Sequence, residues 1–287
     1  MPLNVKNFIP RRFRSNAVEI PALALHGTIT QRHSPLSNSV NFAQTAYLLQ
    51  KAFANKEAPA IALIVNSPGG APVQSHLIFK RIRQLAEEHG KRVFAFVEDV
   101  AASGGYMIAC AADEIYADPS SIVGSIGVIS SSFGFPKLLE KIGVERRIYT
   151  AGENKSVLDP FLPENQKDVE LLKSLQQNIH AHFIEIVKTR RKDKLKEDSE
   201  LFTGLFWAGE KAAQLGLIDG LGDASSILKQ RYGKETKLYL VSPPKSLWQP
   251  KNASAIKADS VKMLAHETIE QVLEHLTSYD LWSRYGL

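Results

Sequence analysis

Two residues of this 287-residue chain have the types and neighbours that a serine nucleophile and a lysine base require. Ser103 lies in Val100-Ala101-Ala102-Ser103-Gly104-Gly105-Tyr106, after the apolar run 93–97 and before a helix-like stretch. Lys155 lies in Ala151-Gly152-Glu153-Asn154-Lys155-Ser156, after the strand-like residues Arg147-Ile148-Tyr149-Thr150. A serine hydroxyl attacks a carbonyl efficiently only when a base removes its proton, and a neutral lysine amine can do this in place of histidine. The lysine then needs a dry, apolar surround that disfavours its ammonium form. Glu153 shares a face with Lys155 if the segment is extended, so it has to turn away for this chemistry to hold.

Taken singly, each motif has a commoner structural meaning. Ser-Gly-Gly at a helix start is usually an N-cap and turn, Pro-Gly-Gly after a strand a turn, Gly-Ser-Ile-Gly a loop, and a lysine after a strand a solvated cation. Their order is more informative. Asn66-Ser67-Pro68-Gly69-Gly70, Ala102-Ser103-Gly104-Gly105-Tyr106, Gly124-Ser125-Ile126-Gly127, Gly152-Glu153-Asn154-Lys155-Ser156 and Gly216-Leu217-Ile218-Asp219-Gly220 follow one another along the chain. Together they resemble the signal peptide peptidase family of serine-lysine proteases, peptidase family S49, in its short single-repeat form. The resemblance runs from about residue 18 to 242 and extends to the separation of Ser103 from Lys155.

The resemblance implies a role for each matching position. Ser103 is the nucleophile and Lys155 the base, while Ser125 orients the lysine amine. Gly69, Gly70 and Gly104 form the oxyanion hole, where glycine lets backbone N–H groups approach a carbonyl without a Cβ in the way. It also implies substrates that are signal-peptide remnants or other unfolded segments, and a homo-oligomer in which serine and lysine can come from neighbouring protomers. No cofactor is expected.

Composition frames the site. With 44% apolar residues the chain can bury one large α/β core. The single cysteine, Cys110, excludes an internal disulfide and a cysteine-rich metal site, and reads as a buried core thiol. His180 and His182 are two apart, on different faces of a helix, and no HExxH, CxxC or acidic cluster appears, so no metal is expected. The net charge of +5 is modest. Residues 1–16 carry Lys6, Arg11, Arg12 and Arg14 among Phe8, Ile9 and Phe13, a segment suited to peripheral contact with an anionic membrane or to a basic tail. The basic run 188–196 reads as the solvated end of a helix, and no nucleic-acid module is present. No stretch approaches the length of a membrane helix and no secretory signal is visible, which departs from many family members and points to a cytoplasmic protein.

Strands are expected at 18–26, 60–66, 92–97, 114–117, 126–130 and 147–150, and helices at 38–54, 72–88, 136–142 and 164–192. This alternation argues for a mainly parallel sheet with crossover helices. Periodicity alone leaves an ordinary doubly wound sheet open; the family resemblance implies the crotonase/Clp-protease-like fold of repeated β-β-α units, with additional C-terminal helices. Three regions follow: the basic segment 1–16, a peptidase domain 17–242, and a linker with a C-terminal amphipathic helix in 243–287 that docks on its own core, on another protomer or on a membrane. Two other functions use the same motifs: a crotonase-type acyl-CoA enzyme that needs no serine nucleophile, and a catalytically silent peptide-binding scaffold.

Overall fold

The computed structural model describes residues 17–31, 39–242 and 279–286. The basic segment 1–16 and the helix expected at 260–276 lie outside the described residues. In chain order the first half comprises β1 (Glu19–His26), β2 (Thr28–Ile29), β3 (Ser39–Val40), α1 (Phe42–Phe53), β4 (Ala60–Ser67), α2 (Pro72–His89), β5 (Arg92–Ala102) and α3 (Gly104–Ala109). Then come β6 (Glu114–Ala117), β7 (Ile122–Gly124), α4 (Pro136–Lys141), α5 (Gln166–Arg191), β8 (Phe206–Ala208), α6 (Gly209–Gln214), β9 (Gly220–Leu221), α7 (Ala224–Tyr232) and β10 (Lys237–Leu240).

The main sheet runs β10-β1-β4-β5-β6-β9, all parallel, and alternate residues of its central strands enter two separate cores. Leu23 and Leu25, Ile61, Leu63 and Val65, and Val93, Ala95 and Val97 face the larger core with α1, α2 and α3. Ile20 and Ala22, Ala60 and Ala62, and Phe94 and Phe96 face a smaller one closed by Leu228 and Tyr232 of α7. A parallel strand covered on both faces has no polar side to show, which is why β4 reads as an unbroken apolar run.

The feature that positions the site is a fork in β5. Its residues 94–97 pair with β6, whereas Val100, Ala101 and Ala102 pair with β7, which in turn carries the antiparallel β8. At the fork, the register of β4 slips between Val65 and Ser67. Asn66 bridges the slip: its side-chain amide donates to Asp99 at 2.6 Å and its carbonyl oxygen accepts from the Val100 N–H at 3.3 Å. A local irregularity of this kind re-aims the backbone that follows it.

Two expected strands are absent. The segment 126–130 is irregular backbone: the Gly124 and Ser125 backbones adopt φ of 121° and 53°, and the short strand β7 ends at Gly124. Residues 147–150 alternate as a strand would but find no partner edge, and Tyr149 is 91% exposed. The basic run at the end of α5 is only partly solvated. Arg190 donates to the carbonyls of Cys110 and Ala112, and Arg191, 2% exposed, donates to the Gly216 carbonyl and to Asp219 at 2.7 Å.

Asp219 is the hub of that contact. It also receives Lys194 and the Ile115 N–H, so the Gly216-Leu217-Ile218-Asp219-Gly220 motif is structural: it ties α5 to the end of the sheet. Burial alone would raise the Asp219 carboxyl, but hydrogen bonds from Arg191 and Lys194 outweigh it and hold the group below the usual carboxylate range. A depressed folded-state pKa contributes stability that is full above the unfolded carboxylate value and is lost as pH falls through the folded one. Removing one partner of a buried pair leaves the other uncompensated, so Arg191→Met is expected to cost about 3–5 kcal/mol in urea unfolding at neutral pH. A change below about 1 kcal/mol would show that the pair is not structural.

Cys110 is fully buried beside Tyr106 and Arg191, and burial pushes its thiol up to about 11. It is expected to resist alkylation at pH 8 in the folded protein and to react readily in guanidinium; fast labelling of the folded state would contradict this environment. No helix among the described residues is long and apolar enough to cross a membrane.

Candidate active site

Ser103 stands at the junction where β5 ends and α3 begins, with φ 51° and ψ −122°. A positive φ is costly for a residue with a Cβ, by roughly 1–3 kcal/mol, and such strain collects at functional positions. Among the described residues four non-glycines have positive φ, and Ser103 and Ser125 are two of them. The strain is held by backbone bonds. The Ser103 N–H donates to the Gly124 carbonyl at 2.8 Å, and its carbonyl accepts from the Met107 N–H at 3.0 Å. Although Ser103 occupies the N-cap position of α3, its hydroxyl makes no capping bond. The ordinary structural role of a helix-initiating serine is therefore unfilled, and the sharp strand-to-helix turn presents the side chain as a nucleophile elbow does.

The glycine turn after β4 lies directly against this serine. A Cβ on Gly69 would come within 2.8 Å of the Ser103 Cβ and 3.0 Å of the Gly104 nitrogen, so no other residue fits there. Gly70 is pinned from the other side: the Gly69 carbonyl accepts from the Ile29 N–H, the Ala71 N–H donates to the Ile29 carbonyl, and a Cβ on Gly70 would meet that carbonyl at 2.1 Å. The Gly70 N–H is left outside this ladder. Gly104 packs on the buried Ser75, whose hydroxyl donates to Ala71. Of the three glycines expected at an oxyanion hole, Gly69 packs against Ser103, Gly104 follows it in the chain, and Gly70 lines the same cavity.

Ser103, Gly70 and Ser125 line one cavity of ≈ 680 Å³, together with Pro68, Ile129 and Phe206. Ser125 is fixed by its N–H, which donates to Leu205 at 2.7 Å, and by the Gly127 N–H, which donates to its carbonyl. The segment Tyr279–Gly286 closes one side of the cavity through Asp280, Leu281, Arg284 and Tyr285, with the Tyr285 ring edge-on to Phe206 at 5.1 Å. The last described residues of the chain thus lie against β8, while the amphipathic helix expected at 260–276 is outside the described residues.

Lys155 does not line this cavity. It sits in an exposed turn, its N–H donating to the Gly152 carbonyl at 3.3 Å, and its neighbours Glu153, Asn154 and Ser156 border a different depression beside Pro160 and Asp168. Among the described residues, none supplies the dry surround that a lysine base requires. The whole excursion between Ser125 and α5 carries apolar side chains in solvent, including Ile129, Phe133, Ile142, Val144 and Tyr149. Half of α5 does the same through Leu171, Leu175 and Ile179.

The comparisons agree with the geometry. The model of peptidase family S49 matches residues 86–236, more than half of the chain. The protein belongs to peptidase family S49. It is 31% identical, over 90% of its length, to 39% of the chloroplastic serine protease SPPA of Arabidopsis thaliana. It is 54% identical over its full length to 39% of the Na(+)/H(+) antiporter NhaA of Brucella abortus (strain 2308). The chain therefore spans about two fifths of these relatives. Among solved structures, a lysine-to-alanine mutant of the 1510-N membrane-bound stomatin-specific protease, in complex with a substrate peptide, superposes with a TM-score of 0.50 at 18% identity, covering 80% of this chain and 95% of that one. The fold is accordingly a mixed α/β fold with a central sheet, of the Clp-protease-like kind that this S49 protease has.

Proposed function

We propose that this protein is a serine endopeptidase that cleaves unfolded or membrane-derived peptides, signal-peptide remnants among them, through an acyl-enzyme on Ser103. The observation that carries this reading is the uncapped, strained Ser103 with the Gly69-Gly70 turn packed against it in one cavity. Ser103 Oγ attacks the substrate carbonyl as its proton passes to Lys155 Nζ, the peptide C–N bond breaks, and the proton goes to the leaving amine. Water then attacks the ester by the same route in reverse. The N–H groups around Gly69, Gly70 and Gly104 stabilise the oxyanion, and the Ser125 hydroxyl orients the lysine amine.

In this reading Lys155 is delivered by a neighbouring copy of the chain in a homo-oligomer. What supports it is the exposure of Lys155, its absence from the Ser103 cavity, and the solvent-facing apolar side chains on the same excursion. Docking that excursion against another copy would bury those side chains and dry the lysine in one event.

The exposure of Lys155 also favours a second reading, a silent scaffold that binds extended peptides. Turnover separates the two. Fluorogenic peptides with small or apolar residues before the cut are expected to be hydrolysed by the assembled protein, with an ester burst when acylation outpaces deacylation. Saturable peptide binding without hydrolysis by a demonstrably assembled protein would establish the scaffold.

A further inference from the structure

Two histidines outside the Ser103 cavity meet across helices that are remote in sequence. His76 lies in the second turn of α2 and His182 in the middle of α5, and their Nε2 atoms are 3.3 Å apart with the rings edge-on at 83°. Metal–nitrogen bonds of about 2.0–2.1 Å at a tetrahedral centre place two imidazole nitrogens about 3.3–3.4 Å apart. The observed separation matches the edge of a zinc coordination tetrahedron, and without an ion it is also the length of an N–H···N hydrogen bond between the two rings. We propose that His76 and His182 form a binding site for a divalent transition metal of the zinc class, with water in the remaining positions, that staples α2 to α5.

The surroundings suit such a site. Each ring has an independent support: His76 stacks on Phe79, with centroids 6.3 Å apart, and His182 Nδ1 lies 4.0 Å from the Glu185 carboxylate one turn further along α5. The His182 side chain is 48% exposed, which leaves a route for the ion and room for its waters. The Lys80 ammonium opposes a cation, and only two protein ligands are present among the described residues, so binding is weaker than at a closed four-ligand site. Imidazole ligands select zinc, copper and nickel over magnesium and calcium.

The place of this pair gives the metal something to act on. α2 begins two residues after Gly70, and Ser75, next to His76, supports Gly104. On another face of α5, two residues before His182, His180 Nε2 is 2.9 Å from the Ile126 carbonyl, beside Ser125. α5 is therefore tied to both walls of the Ser103 cavity, and an ion at His76 and His182 would fix the α2 tie.

The test is a titration of untagged full-length protein with ZnCl2, and separately with MgCl2, by calorimetry, alongside His76→Gln, His182→Gln and His180→Gln variants. One zinc site lost at least tenfold in affinity in both His76→Gln and His182→Gln, retained in His180→Gln and unmatched by magnesium, is the expected result. With Cu2+ as probe, electron paramagnetic resonance should report two nitrogen ligands in the wild type and fewer in either single variant. Zinc affinity unchanged in either His76→Gln or His182→Gln, or equal binding of magnesium, would overturn the proposal, as would no zinc binding at millimolar ion. None of these readouts depends on peptidase activity, so the inference stands or falls apart from the proposed function.

Discussion

Ser103→Ala is expected to lower kcat for peptide hydrolysis by about 10⁴-fold or more while leaving KM and folding nearly unchanged. The reasoning is geometric. The bonds that hold Ser103 in its strained conformation are made by its backbone to Gly124 and Met107, and its hydroxyl caps nothing. Alanine keeps the Cβ, so it inherits the same backbone strain and the same packing against Gly69, and the melting temperature should stay within a few degrees of the wild type. Steady-state kinetics and a thermal melt on one preparation check both halves. Activity retained within tenfold would show that the chemistry needs no serine nucleophile, as the acyl-CoA alternative requires.

Lys155→Ala is expected to cause a comparable loss, and the two inactive proteins are expected to rescue each other. In a ring of copies joined head to tail, each site takes its serine from one protomer and its lysine from the next. An equimolar random mixture of Ser103→Ala and Lys155→Ala chains then assembles about one quarter of its sites with both groups intact. Activity near that fraction, with subunit exchange shown by native mass spectrometry, is the predicted outcome. No restoration despite demonstrated exchange would mean that each protomer provides its own base, through a rearrangement of the excursion that carries Lys155.

Much of the fold was legible because local signals agreed with tertiary demand. β4 and β5 read as apolar runs because both faces are covered, Pro72 opens α2, and the glycines at 69 and 70 mark a turn that no side chain could occupy. The ordered motifs likewise pointed to Ser103, Gly70 and Ser125, which the structure gathers into one cavity.

What was not legible depended on partners distant in sequence. The fork of β5 arises from competition between β6 and β7 for one edge, and no window of sequence carries that information. Residues 147–150 have the alternation of a strand but find no edge to pair with among the described residues. Arg190 and Arg191 looked like part of a solvated basic run, yet their acceptors are carbonyls and carboxylates brought in from α3 and from the loops before β6 and β9. The spacing of His180 and His182 says nothing of contacts beyond α5, and the ring that meets His182 comes from α2. In each case a residue's neighbour was set by topology, where sequence spacing is silent.

The central claim is that Ser103 is a nucleophile activated by Lys155, and intact-protein mass spectrometry after exposure to a fluorophosphonate tests it most directly. The account predicts one phosphonyl adduct per chain on assembled wild-type protein, mapped to Ser103 and lost in both Ser103→Ala and Lys155→Ala. A folded, assembled wild type that takes up no adduct, or a Lys155→Ala protein labelled on Ser103 as fast as the wild type, would contradict it.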